Sequence, residues 1–255
     1  LYALLSRWVD WRAAFAVTLI WAVHPNHAEA VAWVNGRSEV LALLCGGGAA
    51  LAVSRPNIGP GHVVLAGLGM LFALFGKEAG LVFVPVVLFF ATEASGASRR
   101  AAWYQRLHWP TAVAAAAALA VYLGLRAHAL DGGAAAGVAL NLKTQAIVDG
   151  PAMLGKCTQA MLWPYEISVN HLRRWLITAH PAWWYGGAAA ATAQLVAALW
   201  LWRRGQRAAA FGFLWWLGSL IPVLLIGVLG WPGLHRWFYM GSPGLAWGLY
   251  GVFAE

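Results

Sequence analysis

The chain has 255 residues, of which 61% are hydrophobic and only 10% charged, with a formal net charge of +8. Soluble domains carry about 25% charged residues, so this composition excludes an ordinary soluble domain and points to an α-helical polytopic membrane protein. The Arg residues lie mostly in short connections between apolar runs, where membrane topology accounts for them, and nothing in the pattern calls for nucleic acid as a partner.

In chain order, Leu1 to Leu5 reads as the tail of a truncated span, followed by a basic connection from Arg7 to Arg12. Apolar spans are then expected over 13–24, 39–54, 61–76, 79–92, 109–126, 182–202, 208–230 and 238–254. Crossing a bilayer takes roughly 20 apolar residues, so the shorter ones extend into their flanks. The 17 Trp residues suit the membrane interface. Residues 61–92 admit either one long helix or two, and Gly76 and Gly80 beside Lys77-Glu78 favour two. The long loop 127–181 is expected to hold a helix over 151–163, lying in or dipping into the interface and stopped by Trp163-Pro164. The whole, 1–255, reads as one integral membrane domain of about eight spans plus a truncated first one, open at both ends.

Placing the Arg7–Arg12 connection in the cytoplasm puts Arg55, the Arg99-Arg100 to Arg106 loop and Arg203-Arg204 to Arg207 on the same side, as the positive-inside rule requires. The opposite side receives His24–Glu39, Lys77-Glu78, the loop 127–181 and Trp231–Trp237. These segments mix both signs with His. Ionisable groups near a bilayer are costly unless paired or wet, so this outer set is the candidate site. In His24–Glu39, Pro25 suits a first helical turn. Ala30, Val31, Trp33 and Val34 form an apolar side, and His27, Glu29, Arg37 and Glu39 a polar one. The plain reading is an interfacial amphipathic helix; the functional one is a wall of a polar cavity. His24-x-x-His27 with Glu29 is not the His-Glu-x-x-His of zinc proteases, so no metal site is expected. Adjacent residues on a helix do not face each other, so Lys77 and Glu78 each need a partner: a phosphate for Lys77, and Arg37 or a sugar hydroxyl for Glu78. His235-Arg236 and Tyr239 add a cation and hydrogen-bond donors on the same side. Cations together with carboxylates suit an anionic, sugar-bearing lipid. Cys45 and Cys157 form no pattern.

The run His24-Pro25-Asn26-His27-Ala28-Glu29-Ala30-Val31 with Gly36-Arg37, the Lys77-Glu78 segment opening a span, the stretch Leu142–Leu172 and the segment His235–Leu249 occur in that order. Together they resemble the transmembrane, tetratricopeptide-repeat-linked glycosyltransferases, which include O-mannosyltransferases and bacterial relatives. Trp237-Phe238 between Arg236 and Tyr239 keep that family's spacing only loosely. The resemblance implies an all-α, GT-C-like helical bundle in a bacterial inner membrane. It would transfer a mannose-like sugar from a polyprenyl-phosphate donor, with inversion, to a protein or glycan acceptor at the non-cytoplasmic face. It implies donor-phosphate binding by Arg37, Lys77 and Arg236 with His24 and His27, and sugar binding or cation orientation by Glu29, Glu39, Glu78 and Tyr239. The general base is expected upstream of Leu1, and tetratricopeptide repeats in the full-length chain. No cofactor is called for; a divalent metal has no support among the residues. Membrane lipid is the other expected partner. The alternatives are a transporter or flippase for lipid-linked or anionic substrates, and a membrane scaffold without chemistry.

Overall fold

The computed structural model describes residues 1–96, 103–129, 142–164, 181–228 and 238–254, and among these every regular element is helical. The helices are α1 (Tyr2–Leu5), α2 (Trp11–Ala22), α3 (Ala28–Ala32), α4 (Arg37–Val53), α5 (Pro60–Gly76), α6 (Phe83–Ala94), α7 (Trp103–Arg106), α8 (Trp109–Ala129), α9 (Leu142–Leu162), α10 (Pro181–Arg203), α11 (Arg207–Val228) and α12 (Ser242–Phe253). Short 3-10 turns stand at Pro25–His27, Val34–Gly36 and Glu78–Val82. The apolar runs expected from sequence are all helices. The run 61–92 is two helices rather than one, because Lys77 is extended (φ −163°, ψ 144°) and ends α5. The helix foreseen over 151–163 is the second half of α9, which stops at Leu162, just before Trp163-Pro164.

The chain groups into two compact units. The first is Leu1–Ala14 with Ser38–Gly137; the second is Phe15–Arg37 with Val138–Glu255. In the first unit α4 and α5 run antiparallel at close range. A Cβ on Gly69 would meet Cys45 and Ala49, and one on Gly76 would meet Ser38 and Ala42. As one number rises the other falls, and only a residue without a side chain allows that approach. The ring of Phe83, fully buried, fills the space left at Gly46. The α8 helix packs on α5, with Ala114 over Gly67, and Trp8 leans on Phe90 at 5.6 Å between ring centres.

In the second unit α9 and α10 touch backbone to backbone at Gly155 and Gly187. Helices α11 and α12 do the same at Gly212 and Gly244, with Gly248 lying under the ring of Phe213. Trp216 and Trp247 are fully buried, and Trp216 meets Phe238 edge to face. Ala152, Met153 and Cys157 on α9 are buried and Lys156 stacks on Trp183 at 4.4 Å. This helix, expected to lie in or dip into the interface, is packed within its unit, where its small residues fit it to α10.

Among the described residues, α8 is long and apolar enough to cross a membrane, and 11% of its most apolar window is buried within the protein. Helices Trp11–Ala22, Pro60–Gly76 and Arg207–Ile221 are apolar but shorter.

Candidate functional site

The polar segment His24–Glu39 contributes to two clusters, one in each unit. In the second unit, the chain leaves α2 and turns at Pro25. His24 caps that turn, its Nδ1 accepting the Asn26 N–H at 3.3 Å. The other ring nitrogen, Nε2, then carries the proton of the neutral imidazole and donates to the Met161 carbonyl at 2.9 Å. Asn26 Nδ2 donates to the Ala160 carbonyl at 2.7 Å. Both acceptors lie in the last turn of α9, whose carbonyls have no partner within the helix. His24 and Asn26 thus close the end of α9.

His27 is buried beside them, its ring 4.8 Å from that of Trp21 and 5.0 Å from that of Tyr239, which it meets edge to face. Ser242, at the start of α12, ties the group together. Its hydroxyl donates to the Tyr239 carbonyl at 2.9 Å, accepts Trp21 Nε1–H at 2.8 Å and lies 3.0 Å from His27 Nε2. A hydroxyl has one proton and two lone pairs, so with its proton on the Tyr239 carbonyl it takes His27 Nε2–H as its second donor. His27 Nδ1 is buried without a hydrogen-bond partner. Burial first, and the neighbouring His24 next, push the His27 imidazole down to about 4; the Trp21 carbonyl, which a protonated ring could serve with its second N–H, pulls the other way. His27 is a neutral spacer at ordinary pH.

The two histidines assigned to phosphate therefore have their donor N–H groups engaged within the protein. Sequence reasoning missed the roles of Trp21 and Asn26, which are close to His24 but carry no local signal of their partners, and missed Ser242 and the α9 carbonyls, which lie far from it along the chain. Glu29 is half-buried and Arg37 exposed. Ala30 lies under Gly36, while Val31, Trp33 and Val34 are exposed. The segment is not one amphipathic helix: the 3-10 turns on either side of α3 break it, and Gly36 is needed where the chain folds back onto Ala30 and Glu29. Arg236 and His235 lie outside the described residues, as do Arg99-Arg100 and most of the loop 127–181.

In the first unit, Lys77 at the α5 break makes an ion pair with Glu39 in the first turn of α4. The Glu39 side chain is wholly buried; that of Lys77 is 23% exposed. A carboxylate there is tolerable only when paired. Glu78, the adjacent residue, points elsewhere and pairs with Arg126 at 2.5 Å; Arg126 also donates to Tyr122, one turn earlier on α8, at 2.9 Å. Lys77 and Glu78 do have separate partners. The partner of Glu78 is Arg126, not Arg37 as the sequence suggested, because Arg126 ends the helix that packs on α5. Among the described residues no three His, Cys, Asp or Glu side chains are arranged to hold a metal ion.

Among the described residues the fold is all-α with neutral and charged polar clusters, and α8 is long and apolar enough to cross a membrane. No family model, no curated protein and no solved structure matches this chain.

Proposed function

We propose that the chain is the membrane domain of a GT-C-like glycosyltransferase that moves a sugar from a polyprenyl-phosphate donor to an acceptor, at the non-cytoplasmic face of a bacterial inner membrane. The observation that carries the reading is the Glu39–Lys77 pair at a helix break. A buried ion pair is weak as a source of stability, so a role in binding accounts better for a carboxylate kept wholly buried in so apolar a chain. Glu39 would hold Lys77 with its exposed side toward the donor phosphate, where a cation stabilises the charge that builds on the leaving group.

The order of the four segments that resemble tetratricopeptide-linked glycosyltransferases supports the sugar-lipid donor. The membrane reading draws on the sparse burial of α8 and on large apolar side chains left exposed along several helices, among them Phe15, Ile20, Leu44, Val64, Phe72 and Leu199. Soluble monomers seldom expose apolar surface on that scale. In this reading Lys77 faces the phosphate with the Glu78–Arg126 pair beside it, and His24 and His27 support the fold of the loop.

The test is a transfer assay on the full-length protein in nanodiscs with a panel of polyprenyl-phosphate sugars, beside Lys77→Ala of matched folded yield. The expected result is donor-dependent product that falls about a hundredfold in the variant, equivalent to one lost electrostatic contact in the transition state. Neither product nor binding with any donor would overturn the reading; so would equal turnover per folded molecule in the variant.

A further inference from the structure

The other end of the α4–α5 pair carries a second polar feature. Helical rise separates Glu39 from the end of α4 at Val53 by roughly 21 Å. There, within the first unit, a cavity of about 680 Å3 opens, lined by Arg7, Ser54, Arg55, Asn57, His62 and Glu93 among others. Its hydrogen bonding is lopsided. The Gly59 N–H donates to His62 Nδ1 at 3.1 Å. With Nδ1 accepting, the ring proton of His62 sits on Nε2. That nitrogen lies 3.4 Å from Arg55 Nη1, and an arginine has only donors to offer. Two N–H groups thus face each other across the cavity wall.

Arg7 stands on the same wall. Its Nη1 donates to the Leu51 carbonyl and to Ser54 Oγ, both at 2.5 Å, which fixes the guanidinium at the end of α4. Lost hydration and the nearby charge of Arg55 both hold Arg7 below the usual arginine range. The carboxylate on the cavity wall, Glu93, is bound to Arg106 at 2.7 Å. The wall thus carries two guanidiniums and the His62 N–H, while its carboxylate is engaged by Arg106.

We propose that this cavity binds a phosphate group, carried by a lipid headgroup or free in solution, with its oxygens between Arg55 Nη1 and His62 Nε2 and the Arg7 charge behind. A phosphate offers only acceptors, which resolves the facing donors, and two guanidiniums suit its charge and geometry. The cavity is larger than a bare phosphate needs, so the remainder of a headgroup fits. This site does not depend on the transferase reading, and lies at the opposite end of α4 from the pair used there.

The test takes the full chain in maltoside micelles. Native mass spectrometry counts bound phosphatidylglycerol against diacylglycerol, which lacks the phosphate, and calorimetry follows inorganic phosphate without lipid. Arg55→Gln, an exposed side chain that the fold does not use, and His62→Phe should each weaken binding about tenfold, while Arg204→Gln, stacked on Trp200 in the other unit, should leave it unchanged. Phosphatidylglycerol bound without a phosphate response assigns the lipid source; a phosphate response assigns the free anion. Binding of neither overturns the proposal, as does an equal loss in Arg55→Gln and Arg204→Gln, which would mark a general effect of basic charge.

Discussion

The two polar clusters make opposite use of one stretch of sequence. In the second unit His24, Asn26, His27, Trp21 and Ser242 form a neutral network in which hydrogen bonds do the holding. In the first, Glu39 and Lys77 are held by charge, with a carboxylate removed from water. The difference lies in what each can give up. A neutral network loses its value when any one partner goes, because the remaining donors are left buried. An ion pair can keep its fold if both charges are replaced together, which leaves it open to a role in binding.

The largest effect should come from splitting the charged cluster. Glu39→Ala removes the buried carboxylate that Lys77 pairs with and should cost about 3 kcal/mol. Unfolding measured in detergent tests this, and Glu39→Leu with Lys77→Met should recover most of the loss. If the double variant is as unstable as the single one, the pair is structural and the contrast between the clusters fails.

The next effect belongs to pH and to the neutral cluster. His27 sits at about 4 in the fold against an ordinary 6.5. The unfolded chain therefore takes up the proton first. The neutral His27 stabilises the fold fully above pH 6.5, and that stability is lost as pH falls from there toward 4, by up to about 3 kcal/mol. Melting curves across this window should flatten in His27→Gln; an unchanged slope would show that another group titrates.

Ser242→Ala removes the acceptor for both Trp21 Nε1 and His27 Nε2 and should destabilise by about 2 kcal/mol. A change under a few tenths would mean that water replaces the hydroxyl and that the cluster is not sealed. The smallest effect is expected at Glu78–Arg126, whose side chains are 62% and 44% exposed. Glu78→Gln should change stability by no more than about 0.5 kcal/mol, and less in high salt. A larger loss would move this outer pair into the same class as Glu39–Lys77.

Much of the fold was legible in the chain itself. The apolar runs became helices with ends within a few residues of those expected, because hydropathy, Pro and Gly act locally. The break at Lys77-Glu78 and the stop before Trp163-Pro164 were readable for the same reason. So was the need of Lys77 and Glu78 for different partners, since neighbouring residues on a turn diverge. The candidate site was legible only as a list of residues. Nothing local says that Glu39 answers Lys77, that Arg126 answers Glu78, or that His27 spends its proton on Ser242. Those partners stand 38, 48 and 215 positions apart. They meet through helix packing, which in the first unit closes α4 on α5 at Gly69 and Gly76 and in the second closes α11 on α12 at Gly212 and Gly244. Helix identity is set by short-range backbone and solvent preferences, so the sequence alone determined it; the pairing of buried charges and donors depends on which faces pack, and the tertiary structure decided that.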